Sequence, residues 1–312
     1  FHTSNREIWN YINQFADFNN FINSPLANYK GKLYNLPFNM NTFYQLWGTQ
    51  TPLAAKAKIA EQCKKYDYIT HPANLEEHAL KMCGDDIYNT FIKGYTEKQW
   101  GRRATELPSF IIKRIPLRFV YNNNYFNDTY QGIPVGGYTP IIESMIKGAE
   151  VQINTDYFEN KTYFDSLAPK MIFTGRIDEF FDFKFGKLEY RSLHFEHERF
   201  EMNDFQGNAV VNYNEFDVPF TRIIEHKHFE FGTQQFTIVS KEFPNEYSKD
   251  SEPYYPVNDE RNHTILGKYK ELAKAYGNIY FGGRLAQYAY FDMDDTIEAA
   301  LEVARKEFKF IK

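Results

Sequence analysis

The spacing of apolar residues switches between helical and strand-like several times along the 312-residue chain. Helical patterns fill residues 50–117, alternating patterns typical of an antiparallel sheet fill 190–239, and short α/β segments lie between and after them. Shorter patterns predict a hairpin about Lys30-Gly31-Lys32, a β-like segment over 119–130 and a short strand over 151–155. A chain that alternates in this way leaves a domain and returns to it later. The sequence therefore predicts a mixed α/β (α+β) fold whose domains are discontinuous in sequence.

The composition of the chain excludes some classes of function. A net charge of −5 argues against a protein that binds nucleic acid, because such binding depends on excess Lys and Arg. With 43% hydrophobic residues, the chain can build a core, yet no apolar run reaches the ~18 residues of a membrane span. We predict a cytoplasmic protein with no membrane span.

Aromatic residues make up 18% of the chain, and two of them stand in a motif that ends in glycine. Tyr95 and Trp100 lie in Gly94-Tyr-Thr-Glu-Lys-Gln-Trp-Gly101, where they either stack a nucleobase or pack at the end of a helix. Several isolated arginines in aromatic or apolar surroundings suit either a diphosphate or ordinary salt bridges. These arginines are Arg114, Arg191, Arg222 and Arg284.

Three further patterns leave alternatives open. Glu252-Pro-Tyr-Tyr-Pro256 either aims a phenol at a phosphate or sugar or forms a packed turn. Phe281-Gly-Gly-Arg284, with a helix start after Asp292, suits either a flavin edge or an ordinary capped helix. His226 and His228 offer two imidazoles, but no spacing in the sequence completes a metal site, so we predict no metal.

Six motifs together resemble the bacterial UDP-galactopyranose mutases. They are Gly94–Gly101, Phe110-Ile-Ile-Lys-Arg-Ile-Pro116, Tyr130-Gln-Gly-Ile-Pro-Val-Gly-Gly-Tyr138, Arg222-Ile-Ile-Glu-His-Lys-His228, Glu252-Pro-Tyr-Tyr-Pro-Val-Asn258 and Phe281-Gly-Gly-Arg284. The resemblance implies a discontinuous FAD-binding Rossmann-like domain (1–26, 130–180 and 276–312), a helical domain (50–117) and an antiparallel sheet domain (27–49, 118–129 and 181–275). The family opens with a G-x-G-x-x-G unit that this chain does not contain, so we expect an FAD domain without its first βαβ unit.

The resemblance also implies site residues by position. It assigns catalytic roles to Arg114, which lies on a mobile loop, to Arg222 and to His2, which lies near the flavin ring. Substrate contacts fall on Phe91, Tyr95, Trp100, Tyr125, Arg191, Asn212, Tyr255 and Tyr290. Flavin contacts fall on Gly283, Arg284, Asp292 and Met293.

The implied reaction interconverts UDP-galactopyranose and UDP-galactofuranose through a bond between the sugar and N5 of reduced FAD, with no net redox change. The family is usually a homodimer and supplies galactofuranose for cell-surface polysaccharide. Three alternatives remain at the sequence level: another flavin enzyme such as an amine oxidase, an inactive or noncatalytic UDP-sugar-binding protein, and a mutase that acts on UDP-N-acetylgalactosamine.

Overall fold

A computed structural model describes residues 1–112, 116–249 and 251–308. Helices and strands are numbered separately in chain order. The helices are α1 (Arg6–Ile12), α2 (Met40–Trp47), α3 (Pro52–Cys63), α4 (Leu75–Ile87), α5 (Lys93–Trp100), α6 (Thr139–Met145), α7 (Lys161–Ser166), α8 (Ile177–Phe180), α9 (Glu260–Ala273), α10 (Gly283–Ala286) and α11 (Met293–Phe308). The strands are β1 (His2–Thr3), β2 (Leu26–Tyr29), β3 (Lys32–Asn35), β4 (Tyr130–Gln131), β5 (Met171–Phe173), β6 (Tyr190–Phe200), β7 (Val210–Tyr213), β8 (Arg222–Glu225), β9 (Thr237–Glu246), β10 (Tyr255–Pro256) and β11 (Ile279–Phe281).

The chain forms two compact units, each built from separate stretches of sequence. The first unit combines Phe1–Asn20 and Asp128–Tyr190 with the described residues from Pro253 onward. The second unit combines Phe21–Asn127 with Arg191–Glu252. The mixed α/β class predicted from the sequence is confirmed.

The first unit holds two small sheets and the long helices α9 and α11. β1 pairs with β4 in antiparallel fashion, and β11 pairs with β5 in parallel, with Ile279 opposite Met171. Helices α1, α6 and α11 share an apolar cluster because each presents buried residues on one face. The members of that cluster include Ile8, Ile12, Ile141 and Leu301.

The second unit packs α2 to α5 against a mixed sheet with the strand order β6-β9-β8-β7-β2-β3. β2 runs parallel to β7, and the other neighbouring pairs are antiparallel. The helices of residues 50–117, predicted to form a domain of their own, lie in the same unit as this sheet. Ile59, Leu75 and Ile87 from the helices share one core with Tyr34 and Phe43, which explains the shared unit.

Two segments predicted as strand-like are irregular. Residues 151–155 are exposed and form no strand, with Ile153 78% exposed. Residues 119–129 form turns instead, because side-chain amides bond to the local backbone: the Asn124 N–H donates to Asn122 Oδ1, and the Phe126 N–H donates to Asn124 Oδ1. Local side-chain hydrogen bonds therefore replaced the sheet ladder there.

Within the described residues, no helix combines the length and the apolar character that crossing a bilayer requires.

Candidate active site

Helix α5 carries the aromatic pair predicted to bind a base. Tyr95 and Trp100 are both partly buried, and Gly101 ends the helix in the left-handed conformation with φ 64°. A single π-helical turn, Tyr88–Ile92, precedes α5. Phe91 in that turn is only 4% exposed and packs edge-on against Tyr34, so it lies in the core of the second unit.

Arg222, at the start of β8, meets Tyr95 directly. Its Nη2 donates to the Tyr95 hydroxyl at 2.9 Å, and its Nε lies 3.0 Å from Glu242 Oε1 on β9. Glu242 is buried and also accepts from the Thr221 hydroxyl at 2.8 Å. Burial raises the pKa of Tyr95, while the charge of Arg222 acts in the opposite direction. The phenol is therefore neutral and adjacent to a cationic fork, a combination suited to an anionic nucleotide.

Asn212 on β7 lies opposite Arg222 in the strand register. Its Oδ1 is buried, and no donor among the described residues reaches it. A buried acceptor without a donor costs free energy. The residue paired with Arg222 therefore carries an acceptor with no donor among the described residues.

Arg191 is almost fully buried at the end of α5. Its Nε donates to the Gln99 carbonyl at 3.2 Å, and its guanidinium lies 3.0–3.1 Å from the position that a Cβ on Gly101 would occupy. A cation at this end of a helix complements the helix dipole. Arg191 thus holds the end of the helix next to Trp100, instead of standing open to a ligand.

Tyr125 is 42% exposed on an irregular segment of the second unit. Arg118 donates to the Tyr125 carbonyl at 3.1 Å and to the Asn124 carbonyl. No sequence motif marks Arg118, because its partners are backbone atoms that no side-chain pattern reveals. Arg114, by contrast, lies outside the described residues.

Lys98 is a further residue that no sequence motif marked as functional. It lies between Tyr95 and Trp100 on α5, is 8% exposed, and its Nζ contacts four backbone carbonyls at 2.7–2.9 Å. Burial lowers its pKa to about 8, so the group carries its proton at neutral pH. Its place between two aromatic residues of one motif was the one signal that the sequence offered.

In the first unit, Tyr255 and Tyr290 form a stacked pair with centroids 5.6 Å apart and planes 12° apart. Arg284 lies over the Tyr290 ring at 4.8 Å. Its Nη1 donates to the Phe291 carbonyl at 2.8 Å, and its Nη2 donates to the Tyr254 carbonyl at 2.6 Å. The arginine therefore ties together the two segments that carry the tyrosine pair.

The predicted flavin residues also lie in the first unit. Gly283 has φ 76°, and a Cβ there would find its nearest neighbour, Thr174, at 3.8 Å, so the strand end at β11 leaves room for close approach. Asp292 and the 47% exposed Met293 stand at the start of α11, a 16-residue helix whose first turn presents N–H groups. His2 Nδ1 lies 2.7 Å from Asp128 Oδ2, which orients the imidazole. Backbone space at Gly283 and N–H donors at the start of α11 are features that suit an anionic ring edge.

His226 and His228, the two imidazoles of the Arg222–His228 motif, face different partners. His226 Nε2 lies 2.6 Å from the Ser240 hydroxyl. His228 Nε2 lies 3.2 Å from Glu225 Oε2 and 3.4 Å from Asp204 Oδ1, as an imidazole paired with two carboxylates. The two rings therefore do not converge on one point.

Comparison with known proteins points in one direction. The family model described as "UDP-galactopyranose mutase" matches residues 90–290. A dTDP-fucopyranose mutase from Escherichia coli is 39% identical over 99% of this chain and 83% of its own length. A probable UDP-galactopyranose mutase from Klebsiella pneumoniae is 39% identical over 97% of this chain and 79% of its own length. A solved structure of reduced UDP-galactopyranose mutase covers 100% of this chain and 82% of that one, with a TM-score of 0.73; at 12% identity it supports the fold alone.

Proposed function

Because this chain belongs to the UDP-galactopyranose mutase family, we propose that it is a flavin-dependent isomerase that interconverts UDP-galactopyranose and UDP-galactofuranose. The observation that carries the proposal is the Arg222–Tyr95 contact of 2.9 Å, beside the unpartnered acceptor of Asn212. This group offers a cationic fork, an aromatic ring and a hydrogen-bond acceptor within one unit. An arginine fork suits a phosphate, and an aromatic ring suits a base.

The nucleotide end of the substrate binds the second unit in this proposal. Tyr95 and Trp100 stack and orient the base, and Arg222 binds the diphosphate bidentately. Tyr125 contributes a hydroxyl from its exposed position. Phe91 and Arg191 do not contact the nucleotide, because both are buried. Phe91 packs in the core, and Arg191 stabilises the end of α5.

The chemical step requires the bond between the anomeric carbon and the diphosphate to break. Negative charge then grows on the leaving UDP, and Arg222 is in a position to neutralise it. We propose the same role for Arg114, by resemblance. Removal of one such electrostatic stabiliser typically lowers turnover by a factor of about 100 or more. By resemblance, we propose that Tyr255 and Tyr290 of the first unit contact substrate through their phenol hydroxyls.

The proposed flavin is FAD in its reduced form, which supplies a nucleophile for the anomeric carbon and leaves no net redox change. Gly283, Arg284, Asp292 and Met293 would hold the flavin edge. The N–H groups at the start of α11 would favour negative charge on that edge. His2, oriented by Asp128, would contact the ring. By resemblance, we also propose a cytoplasmic homodimer that supplies galactofuranose for cell-surface polysaccharide.

A second candidate substrate is dTDP-fucopyranose, because the E. coli dTDP-fucopyranose mutase is as similar to this chain, at 39% identity, as the K. pneumoniae relative. The two substrates share a pyrimidine base, a diphosphate and a galactose-type ring. They differ in the base methyl group, the ribose 2′-hydroxyl and the sugar 6-hydroxyl. Arg222 would bind the diphosphate of either substrate, so selectivity between them depends on contacts with the base and the sugar.

Calorimetric titration with UDP, dTDP and ADP tests the nucleotide site. We expect a pyrimidine diphosphate to bind at least about tenfold more tightly than ADP, since the difference is one well-placed base contact. Turnover of UDP-galactopyranose and dTDP-fucopyranose by the reduced flavoprotein then decides between the two candidates. Equal binding of ADP and failure to convert either sugar would refute both.

A further inference from the structure

Lys98 is a buried cation whose hydrogen-bond partners are all backbone carbonyls. Its Nζ lies 2.8 Å from the Tyr213 carbonyl oxygen, 2.9 Å from that of Glu215, 2.8 Å from that of Val218 and 2.7 Å from that of Phe220. The side chain is 8% exposed. We refer to these four carbonyls as the carbonyl cage. An ammonium group has three N–H donors, so the cage more than satisfies it.

The carbonyl cage lies where β7 connects to β8: Tyr213 is the last residue of β7, and the other three carbonyls belong to the connecting residues 214–221. Asn212 precedes this connection and Arg222 follows it. Lys98 itself lies on α5, one turn after Tyr95 and two residues before Trp100. The four contacts therefore attach α5, which carries the aromatic pair, to the loop before β8. That loop determines the position of Arg222, the first residue of β8.

Neighbouring contacts support the same attachment. The Asn214 side chain donates to the Phe91 carbonyl at 2.8 Å. At Gly94, a Cβ would come within 2.4 Å of the Asn214 carbonyl oxygen, so the helix and the loop meet without space for a side chain. The Arg222–Tyr95 bond of 2.9 Å joins the same helix to β8, the strand that follows the loop. A shift of α5 against the loop would separate that pair.

We infer that Lys98 is a positioning residue for nucleotide binding, which rests on the proposed function: its ammonium group fixes α5 against the β7–β8 connection and thereby sets Tyr95 beside Arg222. Lys98 does not touch the nucleotide. Lys98 acts by positioning the residues that contact the nucleotide. Its loss should therefore change substrate affinity more than the rate of the chemical step.

The test compares Lys98→Met with Lys93→Met. Methionine keeps an unbranched, apolar side chain of similar length but removes the ammonium group, while Lys93 is an exposed lysine on the same helix and serves as the matched control. We expect the Kd for UDP and the KM to rise about tenfold in Lys98→Met, with kcat within about twofold of the unmodified protein. Lys93→Met should leave all three unchanged.

Unchanged UDP affinity in folded Lys98→Met, measured well below its Tm, would overturn the inference even if Tm fell. If Lys98→Met does not fold, Lys98→Gln, which keeps an uncharged donor, takes its place and should weaken UDP binding by a smaller factor. Unchanged UDP affinity in that variant would overturn the inference equally. If the unmodified protein fails to bind UDP, the proposed function fails and this inference fails with it. Loss of affinity restricted to the Lys98 variants supports both.

Discussion

Arg222 and Glu242 lie directly opposite each other on β8 and β9, and their side chains form an ion pair with Nε and Oε1 3.0 Å apart. Glu242 is almost completely buried, whereas Arg222 retains 30% exposure of its side chain. The strand pairing thus places a fixed carboxylate behind the guanidinium. The ion pair and the hydrogen bond from Nη2 to the Tyr95 hydroxyl together fix the orientation of the guanidinium.

For this ion pair we predict that Arg222→Ala has two separable effects. It leaves the Glu242 carboxylate buried without its cation, so the free energy of unfolding falls by about 3 kcal/mol. It also removes the diphosphate ligand, so UDP affinity falls about 100-fold. The double variant Arg222→Ala/Glu242→Gln should regain most of the stability in urea unfolding and none of the UDP affinity. Recovery of UDP binding in the double variant would contradict the assignment.

Tyr95→Phe separates the contribution of the Tyr95 hydroxyl to UDP binding from that of the ring. The substitution keeps the stacking surface but removes the acceptor of the Arg222 hydrogen bond, so we expect UDP affinity to fall about fivefold, the worth of one ordinary hydrogen bond. Tyr95→Ala should cost more, because base stacking adds about 1–3 kcal/mol. Titration calorimetry of both variants measures the difference. Equal losses in the two would show that the ring does not stack the base.

Two glycines give a matched test of the α5 terminus. Gly48 ends α2 and Gly101 ends α5, both with positive φ, at 72° and 64°. Alanine at either position is expected to cost about 1 kcal/mol of unfolding free energy from the left-handed backbone. Only at Gly101 would the new Cβ also meet Arg191, at 3.0 Å, while Gly48 has open space. Gly101→Ala should therefore be the more destabilising and should alone weaken UDP binding; equal effects would argue against a role for Arg191.

Stability should depend on pH through His226. Burial and the nearby His197 lower the pKa of His226 below its ordinary value near 6.5. As pH falls below about 6.5, the unfolded chain binds a proton at this position before the folded protein does, so the free energy of unfolding decreases. Urea unfolding between pH 7 and 5 measures the slope. The slope should be shallower in His226→Gln, and an unchanged slope would rule out His226 as its source.

Local sequence patterns predicted several elements of the fold. The hairpin about Lys30-Gly31 and the helix after Asp292 appear where the sequence predicted them, because turn glycines and amphipathic spacing act over a few residues. The same reasoning failed at residues 151–155, where apolar alternation occurs in a segment that pairs with no strand. Alternation predicts a strand only when a neighbouring strand is available.

The site was predictable to the extent that its side chains stand in unusual motifs. Tyr95 and Arg222 were identified before the structure placed them 2.9 Å apart. Lys98 and Glu242 were not identified, because a lysine in a helix and a glutamate in a strand both resemble solvent-facing charges. Their partners lie on other elements, more than 100 residues away in the case of Lys98. Only the folded chain reveals such contacts.

The most direct test of the central claim is turnover of UDP-galactofuranose by the purified flavoprotein, oxidised and after reduction with dithionite, with the sugar nucleotides separated by chromatography. We predict conversion to UDP-galactopyranose by the reduced protein, with the flavin spectrum still that of the reduced state after many turnovers. The oxidised protein should convert none. Equal conversion in both states, or none in the reduced state together with none of dTDP-fucofuranose, would contradict a flavin-dependent mutase.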